Sequence, residues 1–198
     1  RKKEIHSMKK FLVIFVVLLF PISVFSEVQT YVVVPRLSSM NFEVSAQMHD
    51  VHGTGNRFSG TITGDPADIT TAKIELKLDP TSFDTKNEKR DKDLRDKCME
   101  VAKYPYIEFT SQSIQADQKE LKPGQPQKAT VQGTLKMHGL EKQISVPVTL
   151  QLVDDTLTAD GEMAVVLDEW KILRPKVLFV QLQNDVKIKF KVGAKRQQ

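Results

Sequence analysis

The sequence predicts an all-β domain: an antiparallel meander of about nine short strands with one helix, closed into a barrel or folded as a sandwich. Three observations carry this. Apolar and polar residues alternate with period two in segment after segment, the signature of strands buried on one face. The links between segments are mostly of hairpin length and carry turn signals, with no alternation of strand and helix that would call for a parallel sheet. One charged block alone has a helical period.

The first 26 residues stand apart from this pattern. Lys9 and Lys10 follow a start at Met8, the apolar run FLVIFVVLLFPISVF occupies 11–25, and Val24 and Ser26 are small residues three and one before a cut. At 15 residues, with Pro21 inside it, the run is short of a spanning helix. The reading is a signal peptide over 1–26, cleaved after Ser26, with residues 1–7 an over-extended start. An uncleaved membrane anchor is the alternative. Five of the 29 bases and one of the 25 acids lie in this leader, so residues 27–198 hold 24 of each. The basic pI of the whole chain is therefore no argument for a nucleic-acid partner. Residues 27–198 suffice for one domain with its own core. Their single cysteine, Cys98, excludes an internal disulfide, which suits a periplasmic protein better than a disulfide-dense extracellular module.

The strands follow in order. NFEVSAQMH (41–49) sets Phe42, Val44, Ala46 and Met48 against Glu43, Ser45 and Gln47, and AKIELKLD (72–79) sets Ile74, Leu76 and Leu78 against Lys73, Glu75 and Lys77. Between them lies RFSGTITG (57–64). After them come YIEFTSQSI (106–114), ATVQGTLKMHG (129–139), KQISVPVTLQLV (142–153), LTADGEMAVVL (157–167), VLFVQLQ (177–183) and DVKIKFKV (185–192). Breaks fall at GDPAD, KPGQPQ, DD and QND.

Residues 84–105 are the exception. Leu94, Cys98, Val101 and Ala102 fall at i, i+4, i+7 and i+8, Asp84 or Thr85 is placed to cap the start, and Pro105 ends the run. Glu88 with Lys92, Asp91 with Arg95 and Asp93 with Lys97 put acid before base at i, i+4. This is a short helix with an apolar stripe on a sheet and a self-paired face in water. A nucleic-acid surface is disfavoured, because interleaved acids cancel the field and no aromatics alternate with the bases.

Catalytic machinery is not legible. There is no G-x-S-x-G, no glycine-rich phosphate loop, and no nucleophile with an evident base. His49 and His52 are the only close pair of metal-ligand types, but i and i+3 on a strand face opposite ways unless the chain turns, which the following GTG permits. The plainer reading puts both at a barrel rim. His138 reads as a turn residue.

Four segments, FEVSAQMHDVHGTGNRFSGTI (42–62), DPTSFDTKNEKRDKDLRDKCMEVAKYPYIEF (79–109), GTLKMHGLEKQISVPV (133–148) and DEWKILRPKVLFVQLQNDVKIKF (168–190), resemble the YceI-like family in order and spacing. The chain departs at QMHDVHG, where many members read KH-G. The resemblance implies a lipocalin-like, eight-stranded antiparallel barrel over 27–198 with one short inserted helix. It implies export to the periplasm and a polyisoprenoid or similar lipid held in an apolar tunnel, with no cofactor, no metal and no catalysis. On that implication the ligand-lining candidates are Phe42, Val44, Ala46, Met48, Phe58, Ile74, Leu76, Phe109, Val146 and Val148. Trp170 either lines the tunnel or closes the barrel floor, and His49 and His52 sit at the rim near a polar head. Partners are then the lipid-like small molecule and a transient membrane or protein contact. Two other functions stay open: a barrel packed solid that serves as an interaction module, and a metal enzyme using His49 and His52.

Overall fold

The computed structural model describes residues 27–46, 50–174, 176–177 and 180–197, with side chains at all of these except 46, 176, 177, 180 and 181. The leader, Met48, His49 and the side chain of Ala46 therefore lie outside the described residues.

The described residues form eleven strands: β1 Gln29–Val33, β2 Ser39–Ala46, β3 Val51–Gly55, β4 Phe58–Asp65, β5 Asp68–Leu78, β6 Ile107–Ala116, β7 Gln127–Met137, β8 Leu140–Val153, β9 Thr156–Val166, β10 Lys176–Val177 and β11 Val180–Arg196. Antiparallel pairing runs β1-β4-β5-β6-β7-β8-β9-β11, and β11 returns to β1 through Tyr31↔Arg196 and Val33↔Ala194. The sheet thus closes into an eight-stranded barrel rather than a sandwich. β11 is long enough to serve two partners on one edge, β2 along Leu182–Lys191 and then β1. β2 and β3 extend the wall beyond the ring, and the outer edge of β3 is covered by the bridge Thr54↔Asp84.

Three expectations change. Gln29–Val33 is a strand outside the nine expected, and VHGTG, whose GTG permitted a turn, is a strand as well. The glycines of β3 are there because an aromatic ring needs their space: a Cβ on Gly53 would collide with the Phe42 ring, and one on Gly55 would lie 2.9 Å from Phe83. QND does not break the chain either. β11 runs through it, with the register against β2 shifting between Leu182 and Val186, as at a bulge.

The helix is shorter than its stripe suggested. α1 covers Glu88–Asp93 and widens into a π turn over Leu94–Cys98. Its cap is Asn87, whose side chain accepts from Arg90 N at 3.0 Å. Asp84 and Thr85 are occupied elsewhere. Asp84 takes the Lys86 amide, while Thr85 N and Oγ1 donate to the buried carboxylate of Asp91, so Asp91 does not pair with Arg95. Lys97 meets Asp93 at 2.7 Å as expected, whereas Lys92 pairs with Asp96 rather than Glu88. Cys98 and Met99 are buried, Leu94 and Val101 are half-buried against the core, and Ala102 is exposed. Burial pushes the Cys98 thiol up to about 11, leaving it protonated and inert at neutral pH.

Candidate functional site

The inward faces follow from strand parity. On β11, Val186, Ile188 and Phe190 alternate with exposed Lys187, Lys189 and Lys191. On β8, Ile144, Val146, Val148 and Leu150 do the same against exposed Gln143, Ser145, Pro147 and Thr149. β5 contributes Ala72, Ile74 and Leu76, and β6 contributes Ile107 and Phe109 and then, beyond a register shift, Ile114 and Ala116.

The interior is not packed solid. Its buried side chains form two separate clusters. One is large and reaches from Tyr31 and Met40 to Trp170 and Ala194; the other holds Ile114, Ala129, Val131, Val146 and Val148. The residues that touch both, Ile74, Phe109, Ala116, Ile144, Leu150, Met163 and Phe190, all face inward and all remain partly accessible. A close-packed core would cover them completely. The seven therefore border a lumen between two buried patches.

Glycines shape that lumen. Phe42 lies over Gly53 of β3, Phe109 over Gly133 of β7, and Phe190 over Gly161 of β9, and any Cβ at those glycines would strike the ring. The rings lie against the wall instead of projecting across the interior. An open groove of about 820 Å³ crosses β6, β7, β8, β9 and β11, bordered mostly by outward-facing residues such as Lys128, Thr149, Asp160 and Lys189 and reaching Ala116, Ala129, Val148, Gly161 and Phe190 of the inward face.

The sequence-predicted residues divide in three. Phe42, Ile74, Leu76 and Phe109 face inward and are half-buried, while Val44, Phe58, Val146 and Val148 face inward but are buried within the clusters. Trp170 is 3% exposed, at the end of a 3₁₀ turn over Leu167–Trp170, and belongs to the large buried cluster rather than to the seven residues that touch both. His52 faces outward on β3, 3.5 Å from Glu43, away from the interior. Among the described residues no three His, Cys, Asp or Glu side chains converge as a metal ion would require. The sequence-predicted lining left out Ala116, Ile144, Leu150, Met163 and Phe190. All five were visible as alternating positions, but their cross-strand neighbours were not.

The site also includes a polar cluster at one end. His138, in the β7–β8 turn, donates from Nδ1 to the Trp170 carbonyl at 3.0 Å, since a carbonyl can only accept. Its Nε2 is 2.7 Å from Glu100 Oε2 and its ring centroid 4.7 Å from that of Tyr104. Lys142 Nζ sits 5.2 Å above the Trp170 ring and 2.7 Å from Glu169.

A closed antiparallel barrel of eight strands encloses an interior that is either filled by its own side chains or wide enough for one small ligand. The chain belongs to the YceI-like domain family, whose family model matches residues 31–194. Protein YceI of Escherichia coli O157:H7 is 35% identical over 102 residues, 51% of this chain and 47% of the relative, so the match spans about half the length of the curated protein. Among solved structures, BcnA of Burkholderia cenocepacia superposes with a TM-score of 0.69 at 23% identity, covering 82% of this chain and 99% of that one. A polyisoprenoid-binding domain from Saccharophagus degradans, implicated in plant cell wall breakdown, has a TM-score of 0.69 at 18% identity over 84% of this chain and 98% of that one. At these identities the two structures establish the fold.

Proposed function

We propose that the protein is a non-catalytic carrier that holds a long apolar or amphiphilic lipid, of polyisoprenoid type, inside the barrel. The observation that carries this is the set of seven inward apolar residues left accessible between two buried clusters. Each methylene buried there contributes about 0.8 kcal/mol, so about ten carbons supply roughly 8 kcal/mol before ordering costs. Affinity then comes from the chain of the ligand, and polar groups at the barrel ends tune selectivity. The family membership and the named function of the S. degradans domain support the same reading. The leader over 1–26 fits it as a signal peptide, with a mature periplasmic protein starting at Glu27.

Native mass spectrometry of exported protein, followed by organic extraction, tests both parts. The expected result is a mass starting at Glu27 with a stoichiometric apolar ligand. Ile74→Trp, which adds bulk at a position touching both clusters, should abolish occupancy while the barrel stays folded. Retained residues 1–26 would sink the leader reading. Full occupancy in a folded Ile74→Trp protein would sink the lumen as the binding site.

A further inference from the structure

The β8–β9 hairpin is a ladder for only part of its length. Val148–Val153 pairs with Thr156–Gly161, while Leu140–Pro147 pairs with β7 alone and Glu162–Val166 with β11 alone. The ladder ends for a chemical reason. Pro147 has no N–H, and its carbonyl faces β9, since a Cβ on Gly161 would lie 3.0 Å from that oxygen. Both main-chain groups of a residue in an antiparallel strand point to the same neighbour, so the missing donor is one that β9 would have used. Beyond this point the strands leave a wedge in the wall, with Ile144 facing inward on one bank and Met163 on the other.

The turn Leu167–Trp170 lies at the open end of this wedge, where Trp170 and Glu169 meet Lys142 of β8. Trp170 is held there through its carbonyl by His138 and over its ring by Lys142, which also pairs with Glu169, and His138 in turn meets Glu100 and Tyr104 of the segment joining β5 to β6. Arg174 binds Asp168 with two hydrogen bonds of 2.9 and 2.7 Å, so the turn is braced as a unit. Of the five described non-glycine residues with positive φ, three meet at this spot: Glu100 at 46°, His138 at 51° and Lys171 at 56°. His138 takes positive φ with Gly139 as the central pair of the β7–β8 hairpin turn, and Lys171 as the left-handed C-cap of the Leu167–Trp170 turn. The opposite end of the barrel is closed differently. Loop 117–126 is tied by main-chain bonds, Leu121 N to Pro66 O at 2.8 Å and Gly124 N to Leu152 O at 2.7 Å, with Leu121 buried beneath.

We propose that the β8–β9 seam is a lateral portal to the lumen, that Trp170 is its plug, and that His138 is the positioning residue that keeps the plug seated. The proposal rests on the lumen being the ligand site. A chain-like apolar molecule passes between Ile144 and Met163 once the plug swings away, which requires side-chain contacts to part and no strand pairing to break. His138 couples that motion to the inserted segment through Glu100.

Stopped-flow release of N-phenyl-1-naphthylamine, an apolar fluorescent probe, from the intact protein tests the gate. His138→Ala should speed release by about tenfold or more, with equilibrium affinity changing less because loading speeds as well. His138→Asn keeps a donor where Nδ1 stood and should bring release back to within about threefold of wild type. Release within twofold of wild type in His138→Ala, or no recovery in His138→Asn, overturns the proposal. Hydrogen exchange gives an arm that needs no ligand. In His138→Ala, amides of 167–174 should lose protection while those of β7 and Val148–Val153 keep theirs, and unchanged protection at 167–174 or loss spread evenly round the barrel refutes the plug. If the wild-type protein takes up no probe, the lumen reading fails, and the exchange pattern still decides whether His138 seats a mobile turn.

Discussion

The two halves of the β8–β9 hairpin do the same job by different means. From Val148 to Val153 the wall is a backbone ladder with Leu150, Leu152 and Leu157 turned inward. From Leu140 to Pro147 there is no ladder to β9, and at the open end an indole, an imidazole and an ammonium meet through side-chain contacts instead. A ladder opens only cooperatively, because each strand pair holds the next in register. Side-chain contacts open one at a time, which is what a region of low local stability requires.

Substitutions on either side of Pro147 should separate the halves. The largest effect is expected in the paired half. Leu152→Asp puts an unpaired charge into the large buried cluster, where Leu152 is 7% exposed, and should cost about 3–5 kcal/mol, lowering the melting temperature by roughly 10 °C. A drop of only a degree or two would mean that the ladder half is no firmer than the plug.

Trp170→Phe in the splayed half should cost less, about 1–2 kcal/mol, since it trims a buried ring without leaving a charge. Urea melts should show this loss with the cooperativity of the barrel unchanged. A cost matching that of Leu152→Asp would place Trp170 in the global core and erase the contrast.

The smallest expected change has the opposite sign. Pro147→Val returns a donor toward β9 at an exposed strand position and should stabilise by about 0.5–1 kcal/mol, with an amide at 147 that resists exchange. An amide at 147 that exchanges freely would show that something other than proline ends the ladder.

Much of this was legible beforehand because a strand repeats every two residues. Parity alone put Phe42, Ile74, Leu76 and Phe109 on the inside, and the same rule extends to Ile144, Met163 and Phe190. It failed where the local pattern was ambiguous. YVVV lacks alternation, and the glycines of VHGTG read as a turn until Phe42 and Phe83 are seen occupying their space. The helix was recognisable from its charge spacing, but its cap and the burial of Asp91 depended on Thr85 folding back on it.

The sequence by itself determined an antiparallel β domain, its inward apolar faces and the presence of one helical insert, since all three rest on periodicities within single segments. Closure of the barrel, the lumen between two buried clusters, the rings laid on Gly53, Gly133 and Gly161, and the meeting of His138 with Glu100 and Trp170 were decided by tertiary structure. Each depends on which residues of distant strands lie opposite one another, and register between strands far apart in the chain is set by the global packing of the sheet rather than by any local signal.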